Sequence, residues 1–277
     1  MEYTEILFEN LPENEKELLI ALLAEIGFEG FEEENNMLKA FIRSKEFEED
    51  LLIKTVEIKN IRYSKSIIKS HNWNEIWESD FEPVLVYYPD TDKPFIKILA
   101  HFHVVDPSFL FNISITPKMS FGTGHHATTH LMVALMSKID FKEKSVIDFG
   151  TGTGVLAILA EKLGAIKIVA IDNDDWSIDN AIENVEVNGC TQIQVVKSDT
   201  ISPQLKAQII LANINLNVIK ENIELIMKAA LNNAKLLFSG IMLHDEEKIL
   251  KLLEMAGLKV EGVYKKDLWI AVLATKN

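Results

Sequence analysis

The residues best placed to do chemistry form one run, Val146-Ile147-Asp148-Phe149-Gly150-Thr151-Gly152-Thr153-Gly154. Apolar β-type residues lead to a carboxylate. Glycines follow at every second position, and an apolar helical stretch from Val155 to Leu163 comes directly after. A strand, a turn with almost no side chains and a helix, in that order, let backbone approach a ligand closely at a helix N-terminus. The next strand, Lys167 to Ile171, ends in Asp172, twenty positions beyond Gly152. A carboxylate there is suited to accept both hydroxyls of a ribose. Asp174 or Asp175 is the better candidate for capping the helix that follows.

Two cofactor classes compete for such a turn. The dinucleotide fingerprint G-x-G-x-x-G is met by Gly150 and Gly152, but its third position falls at Val155 and the glycine stands one residue early, at Gly154. The pattern D-x-G-x-G-x-G, with Asp148 leading, resembles instead the first motif of the class I S-adenosylmethionine-dependent methyltransferases.

A second group lies at the end of the fourth predicted strand, Ala212-Asn213-Ile214-Asn215-Leu216-Asn217. This is the carboxyl edge, where open α/β sheets bind ligands. The Asn213 amide can accept from an amine and donate to another group at once. Its position matches the Asn/Asp-Pro-Pro-aromatic motif of enzymes that methylate exocyclic amines of bases or glutamine amides. Both prolines and the aromatic are missing here, which removes the stacking platform for a flipped base. The alternative is that Asn213 caps the next helix. A third group is the loop Ser120-Phe121-Gly122-Thr123-Gly124-His125-His126-Ala127-Thr128-Thr129-His130, glycine-rich and ending in capping residues before a helix through Ile139. It is suited to folding over a bound cofactor as a lid. His126 and His130 share a helical face, but no carboxylate lies close enough in sequence to complete a metal site, so no metal is expected. His101 and His103 are read the same way.

The elements that must hold these groups follow from periodicity. From residue 127 onward, helical patterns alternate with apolar strands at 145–149, 167–171, 193–197, 207–212 and 235–239, and a further helix spans Asp245–Ala256. That alternation predicts a doubly wound, mostly parallel α/β sheet. A final hairpin around Lys266-Asp267 adds an antiparallel pair, giving a seven-stranded methyltransferase sheet. Ahead of it, residues 1–70 predict a small α+β unit of ferredoxin-like order. Its strands are Tyr3–Phe8, 28–34, 37–43 and 58–68, with helices over Pro12–Ile26 and 46–55. Asn35-Asn36 makes its hairpin turn. Trp73, Trp77 and Phe81 fall on one helical face of a linker at 71–82, a seam that packs it onto a domain. Residues 84–115 read as short strands with turns at Pro89-Asp90 and Asp106-Pro107.

Composition narrows the classes. The 277 residues are 48% hydrophobic and 25% charged, the balance of a soluble globular protein. No apolar run reaches the length of a membrane span, and the acidic N-terminus has no signal-peptide core, so a cytoplasmic location is expected. One cysteine, Cys190, excludes an internal disulfide and a thiolate zinc site. Net charge is −14, and residues 1–60 carry 16 acidic against 6 basic side chains. Such a surface repels phosphate backbones and favours a basic partner.

Taken together, the segments Trp73…Trp77…Phe81-Glu82-Pro83, Phe121 to Thr129, Val146 to Gly154, Ile171-Asp172 and Ala212-Asn213-Ile214 resemble the ribosomal protein L11 methyltransferase family. The chain departs from that family's usual pattern at His125-His126-Ala127 and at Asn215-Leu216. The resemblance implies a substrate-recognition domain at 1–70, a linker at 71–82 and an S-adenosylmethionine-dependent methyltransferase domain at 83–277. It implies that Thr129, Gly150, Asp172 and Asn213 contact S-adenosylmethionine, alongside Asp148 and Gly152 from the glycine motif. It also implies methylation of lysine ε-amines or the N-terminal α-amine of a basic ribosomal protein, without direct nucleic-acid or membrane binding. Asn213 is the candidate that orients the amine. The rival readings are a methyltransferase for another protein or a small amine, a nucleic-acid methyltransferase, and a non-catalytic S-adenosylmethionine-binding module.

Overall fold

In the computed structural model of the chain, the described residues are 2–9, 30–34, 37–57, 61–69, 81–100, 102–116 and 122–277, with scattered positions between 11 and 28. The chain divides into two compact units, Met1–Ile76 and Trp77–Asn277.

In the first unit, β1 (Glu2–Phe8), β2 (Gly30–Glu34), β3 (Met37–Arg43) and β4 (Tyr63–Lys69) form an antiparallel sheet in the order β2-β3-β1-β4. Strand β3 alternates strictly, burying Leu38, Ala40 and Ile42 against Ile6 and Phe8 of β1. A period of two puts one face on the core. Leu52 and Val56 of α1 (Glu49–Glu57) close that core. Of the helix expected at 12–26, the described residues Lys16, Leu19, Ile20 and 22–24 are helical, Pro12 and Ile26 are not, Ile26 standing in a turn, and the remaining positions lie outside the described residues. So do Asn35-Asn36, Trp73 and Trp77 with most of the linker, Ser120-Phe121 and His101.

The second unit opens with a three-stranded sheet, β5 (Val84–Tyr87), β6 (Pro94–Ala100) and β7 (Phe111–Ile115). Its turns at Asp90 and Asp106 fall where expected, with Asp90 at φ 63°. Then come α2 (Ala127–Met136), β8 (Ser145–Phe149), α3 (Val155–Lys162), β9 (Lys167–Asp172), α4 (Asp175–Val187), β10 (Ile193–Lys197), β11 (Ala207–Asn213), α5 (Leu216–Ala229), β12 (Ala230–Met242), α6 (Glu246–Met255), β13 (Leu258–Lys266) and β14 (Trp269–Lys276). The sheet order is β10-β9-β8-β11-β12-β14-β13, parallel through β12 and antiparallel at β14 and β13. Helices α2 and α3 pack on one face, against Val146 and Leu211. Helices α5 and α6 pack on the other, against Ile147, Ile210 and Phe238. The α/β methyltransferase-like fold with a central, mostly parallel sheet is thus present.

Some boundaries differ from expectation. Helix α2 stops at Met136, where the Ser137 hydroxyl bonds the Ala134 carbonyl at 2.6 Å. Strand β12 is far longer than 235–239, because β11 and β14 both pair along it. No helix among the described residues is long and apolar enough to cross a membrane.

Candidate functional site

Strand order reverses between β8 and β11, because β9 continues on one side of β8 and β11 on the other. The carboxyl ends of strands diverge at such a point and leave a crevice. A cavity of about 470 Å³ lies there, within the roughly 300–1,000 Å³ common for small-molecule sites. The ends of β8, β9, β10 and β11 contribute Gly150, Asp172, Ser198 and Asn213. Two acids, Asp172 and Asp199, line it, and among the described residues no lysine or arginine does.

The glycine turn takes its shape from β9. The Gly150 and Thr151 N–H groups donate to the Ile171 carbonyl at 2.8 and 2.9 Å. The Gly152 N–H donates to Asp172 Oδ2 at 2.9 Å, and the Gly154 N–H to the Thr151 carbonyl at 2.9 Å. Four amides of the turn therefore have partners within the protein. A phosphate cradle needs such amides free, so the turn offers shape rather than an anion hole. Gly150, at φ 79°, is where that shape is tightest: a Cβ there would stand 2.2 Å from Ile214 Cγ2.

Asp172 also accepts the Asp174 N–H on Oδ1 at 3.1 Å. Two backbone donors fix its carboxylate at the cavity wall, and each oxygen keeps a lone pair for a further donor. Helix α4 is capped by Asp174, which accepts from Ser177 N at 2.9 Å. Asp148 has a different environment. It is fully buried, bonded by the Thr151 hydroxyl at 2.6 Å, and does not line the cavity. Burial pushes its carboxyl up to about 7, opposed by the Thr151 hydrogen bond and reinforced by the charge of Asp172. Its Oδ1 has no hydrogen-bond partner.

Asn213 lines the cavity and donates through Nδ2 to the Thr129 hydroxyl at 3.3 Å, while its Oδ1 is buried without a partner. It does not cap α5: Asn215 does, accepting from Val218 N at 3.0 Å. Thr129 is fully buried and borders only a side cavity of about 20 Å³, shared with Gly122, Gly150 and Asn213. Of the six expected contact residues, Gly150, Gly152, Asp172 and Asn213 therefore meet at the main cavity, and Thr129 and Asp148 stand behind it.

Sequence reasoning did not place Ser198, Asp199, Gly240 or Trp269 on the wall, and it took His126 only as part of the loop before α2. His126 is the N-cap of α2, its ring accepting from Thr128 N. It meets Trp269 edge-on with ring centroids 4.7 Å apart, and both line the cavity. Gly240 interrupts an apolar strand, and an isolated glycine in a strand is the signature of a bulge. Trp269 follows the last hairpin turn and carries no local signal. Among the described residues, no three His, Cys, Asp or Glu side chains are grouped to hold a metal. Of the loop before α2, Gly122 is tied to the glycine turn: the Thr153 hydroxyl donates to the Gly122 carbonyl at 2.9 Å, and Asn184 Nδ2 donates to the Thr153 carbonyl at 2.8 Å. Asn184 Oδ1 in turn accepts the Thr116 N–H at 2.7 Å.

Comparison with known proteins gives a consistent result. Residues 8–277 match the family model described as ribosomal protein L11 methyltransferase (PrmA). A ribosomal protein L11 methyltransferase of Chlorobaculum parvum is 38% identical over 276 residues, covering 94% of this chain and 93% of that protein. One of Porphyromonas gingivalis is 36% identical over 269 residues, covering 94% and 91%. Among solved structures, a ribosomal protein L11 methylase from Lactobacillus delbrueckii subsp. bulgaricus superimposes with a TM-score of 0.62 at 26% identity. The match covers 70% of this chain and all of that one.

Proposed function

The chain belongs to the ribosomal protein L11 methyltransferase family, a methyltransferase family that uses S-adenosylmethionine, and from that premise we propose that it methylates lysine ε-amines or the N-terminal α-amine of ribosomal protein L11 in the cytoplasm. The observation that carries the reading is the character of the cavity. A glycine turn whose amides are already bonded faces two carboxylates, Asp172 and Asp199, with no lysine or arginine among the described lining residues. Such a wall disfavours a diphosphate and suits a ligand with a ribose and a positive charge.

In this reading Asp172 accepts the ribose hydroxyls, and Gly150 and Gly152 form the floor beneath the cofactor. Bound S-adenosylmethionine supplies a methyl group already activated by its sulfonium. The protein's remaining work is to align the attack and present a neutral amine. Asn213, fixed by Thr129, orients that amine, and its proton leaves to water. Deprotonating a lysine at pH 7 costs about 4.6 kcal/mol and an α-amine about 1–1.4 kcal/mol. A cavity with apolar walls at Phe149, Ile214 and Trp269 lowers that cost by disfavouring the ammonium form. The first unit, with its four-stranded sheet of ferredoxin-like order and acidic surface, serves as the substrate-recognition domain at 1–70. It is joined through 71–82 to the seven-stranded catalytic domain at 83–277.

The test is incubation with labelled cofactor and large-subunit ribosomal proteins, then mass spectrometry of the labelled band. L11 labelled at lysines or at its N-terminus is the expected result. Cofactor binding without label on L11 would refute the substrate.

A further inference from the structure

Opposite the end of β11, strand β12 is bulged. Phe238 pairs with Val272 and Ile241 with Ile270, so Ser239 and Gly240 together face Ala271. A bulge of this kind bends a strand and re-aims what it touches. Here it touches Ile214. The Ile214 N–H donates to the Ser239 carbonyl at 3.1 Å. Gly240 has φ 81°, and a Cβ on it would lie 2.5, 2.7 and 2.9 Å from the Ile214 O, C and N. All three are backbone atoms, which no rotamer change can move aside. The bulge is held on its far side by the Ser239 hydroxyl, which donates to the Ile270 carbonyl at 2.9 Å. Gly150 meets Ile214 from the other direction, through its side chain alone.

We propose that the Ser239–Gly240 bulge sets where the Ile214 backbone stands beside Asn213 at the cavity, and that Gly240 is a positioning residue for methyl transfer. The inference rests on the reading that Asn213 and its neighbouring backbone present the amine. Gly240→Ala must push the Ile214 peptide by roughly 0.5–1 Å to restore ordinary contact. A misplacement of about 1 Å at reacting groups costs on the order of 100-fold in rate. Asp172 lies across the sheet on β9 and does not share this contact, and the glycine turn meets Ile214 only through its side chain, which can turn without moving the backbone.

The experiment measures kcat, KM for the polypeptide, cofactor Kd by calorimetry and the thermal unfolding midpoint. In Gly240→Ala, kcat is expected to fall about 30- to 100-fold with cofactor Kd within about threefold of wild type. Gly257→Ala is the control: it has the same positive φ, 80°, but nothing within 4 Å, so it reports backbone strain alone and should leave kcat unchanged. If Gly240→Ala unfolds at the assay temperature, Ser239→Ala replaces it. That variant adds no bulk and loosens the bulge, and kcat is expected to drop about three- to tenfold with Kd retained. The proposal is overturned if the variant read keeps wild-type kcat, or if kcat and cofactor affinity fall together. Asn213→Ala, run alongside, separates the two ideas. Wild-type turnover in Asn213→Ala removes the amine-presenting reading itself. A slow Asn213→Ala beside an unaffected Gly240→Ala removes only the bulge.

Discussion

The two walls of the cavity are built on opposite terms. On the β8–β9 side the polar groups are already paired. The amides of Gly150, Thr151 and Gly152 bond to the end of β9, and Asp172 is held by two backbone donors. On the β11–β12 side one polar acceptor, Asn213 Oδ1, is left without a partner, beside a wall that includes Ile214, Val218, Gly240 and Trp269. A fully bonded wall is rigid and binds by shape and spare lone pairs. A wall with an unpaired acceptor costs stability, of order 1–3 kcal/mol, and such a cost is found where a reacting group must be received. Under the proposed function, the first wall serves ground-state binding and the second serves turnover.

The sharpest way to break that division is Gly150→Ala. Its Cβ would overlap Ile214 Cγ2 at 2.2 Å in a left-handed backbone, so cofactor affinity should fall more than about 100-fold by calorimetry. Ile214→Ala in the same protein should recover part of the loss, since this clash is with a side chain. Failure of that recovery would place the damage in the turn itself. Next in size is the paired comparison of Asp172→Ala with Asn213→Ala. Losing a charge-assisted bond of about 1.5–3 kcal/mol should raise cofactor Kd about 10- to 150-fold in the first, with kcat at saturating cofactor nearly kept. Asn213→Ala should do the reverse, lowering kcat about 10- to 100-fold at nearly constant Kd. If both variants move the same parameter, the walls are not distinct.

Asp148 sits behind the binding wall and titrates with its folding. Its folded carboxyl stands near 7, against about 3.9 in an unfolded chain. Between those values the native state holds a proton that the unfolded state has released, so the Asp148 contribution to stability is intact below about pH 4 and is lost as pH rises towards 7. Asp148→Asn stays neutral throughout. The gap between its unfolding midpoint and that of wild type should widen from pH 4.5 to pH 7, then level off. A constant gap would show that Asp148 is ionised over the whole range. The smallest effect concerns the acidic first unit: KM for a basic polypeptide should rise about threefold from low to moderate salt while cofactor Kd holds. Salt-independent KM would make that charge a matter of solubility.

What could be read from the sequence was what neighbours in sequence decide. Strand β8, the glycine turn, α3 and the placement of Asp172 are each set by a few adjacent residues. The same is true of Asp174 as a cap, since an acid two or three residues past a strand meets the first free amides of a helix. Asp148 was read as part of the site because it precedes the glycines. In a strand, though, it points the same way as Val146, into the layer beneath α3, and the cavity opens elsewhere. Asn213 and Asn215 are both plausible caps by type, and only backbone geometry chooses between them. Gly240 and Trp269 were invisible for a different reason. They reach the cavity through the pairing of β12 with β11 and β14, a contact between segments that no local pattern encodes. His126 was overlooked as a cap because serine, threonine and the acids dominate that position.

The bonds from Asn184 to Thr153 and from Thr153 to Gly122 have a consequence for how the domain breathes. A segment read as a lid would be expected to exchange its amide hydrogens quickly and on its own. Here Gly122, Thr153 and Thr116 belong to three separate stretches of chain, yet they hang on one buried asparagine. Thr153 and Thr116 bond Asn184 directly, and Gly122 is joined to it through the Thr153 hydroxyl. The expected outcome is that the amides of Gly122, Thr153 and Thr116 exchange as one cooperative unit tied to α4, which hydrogen exchange checks.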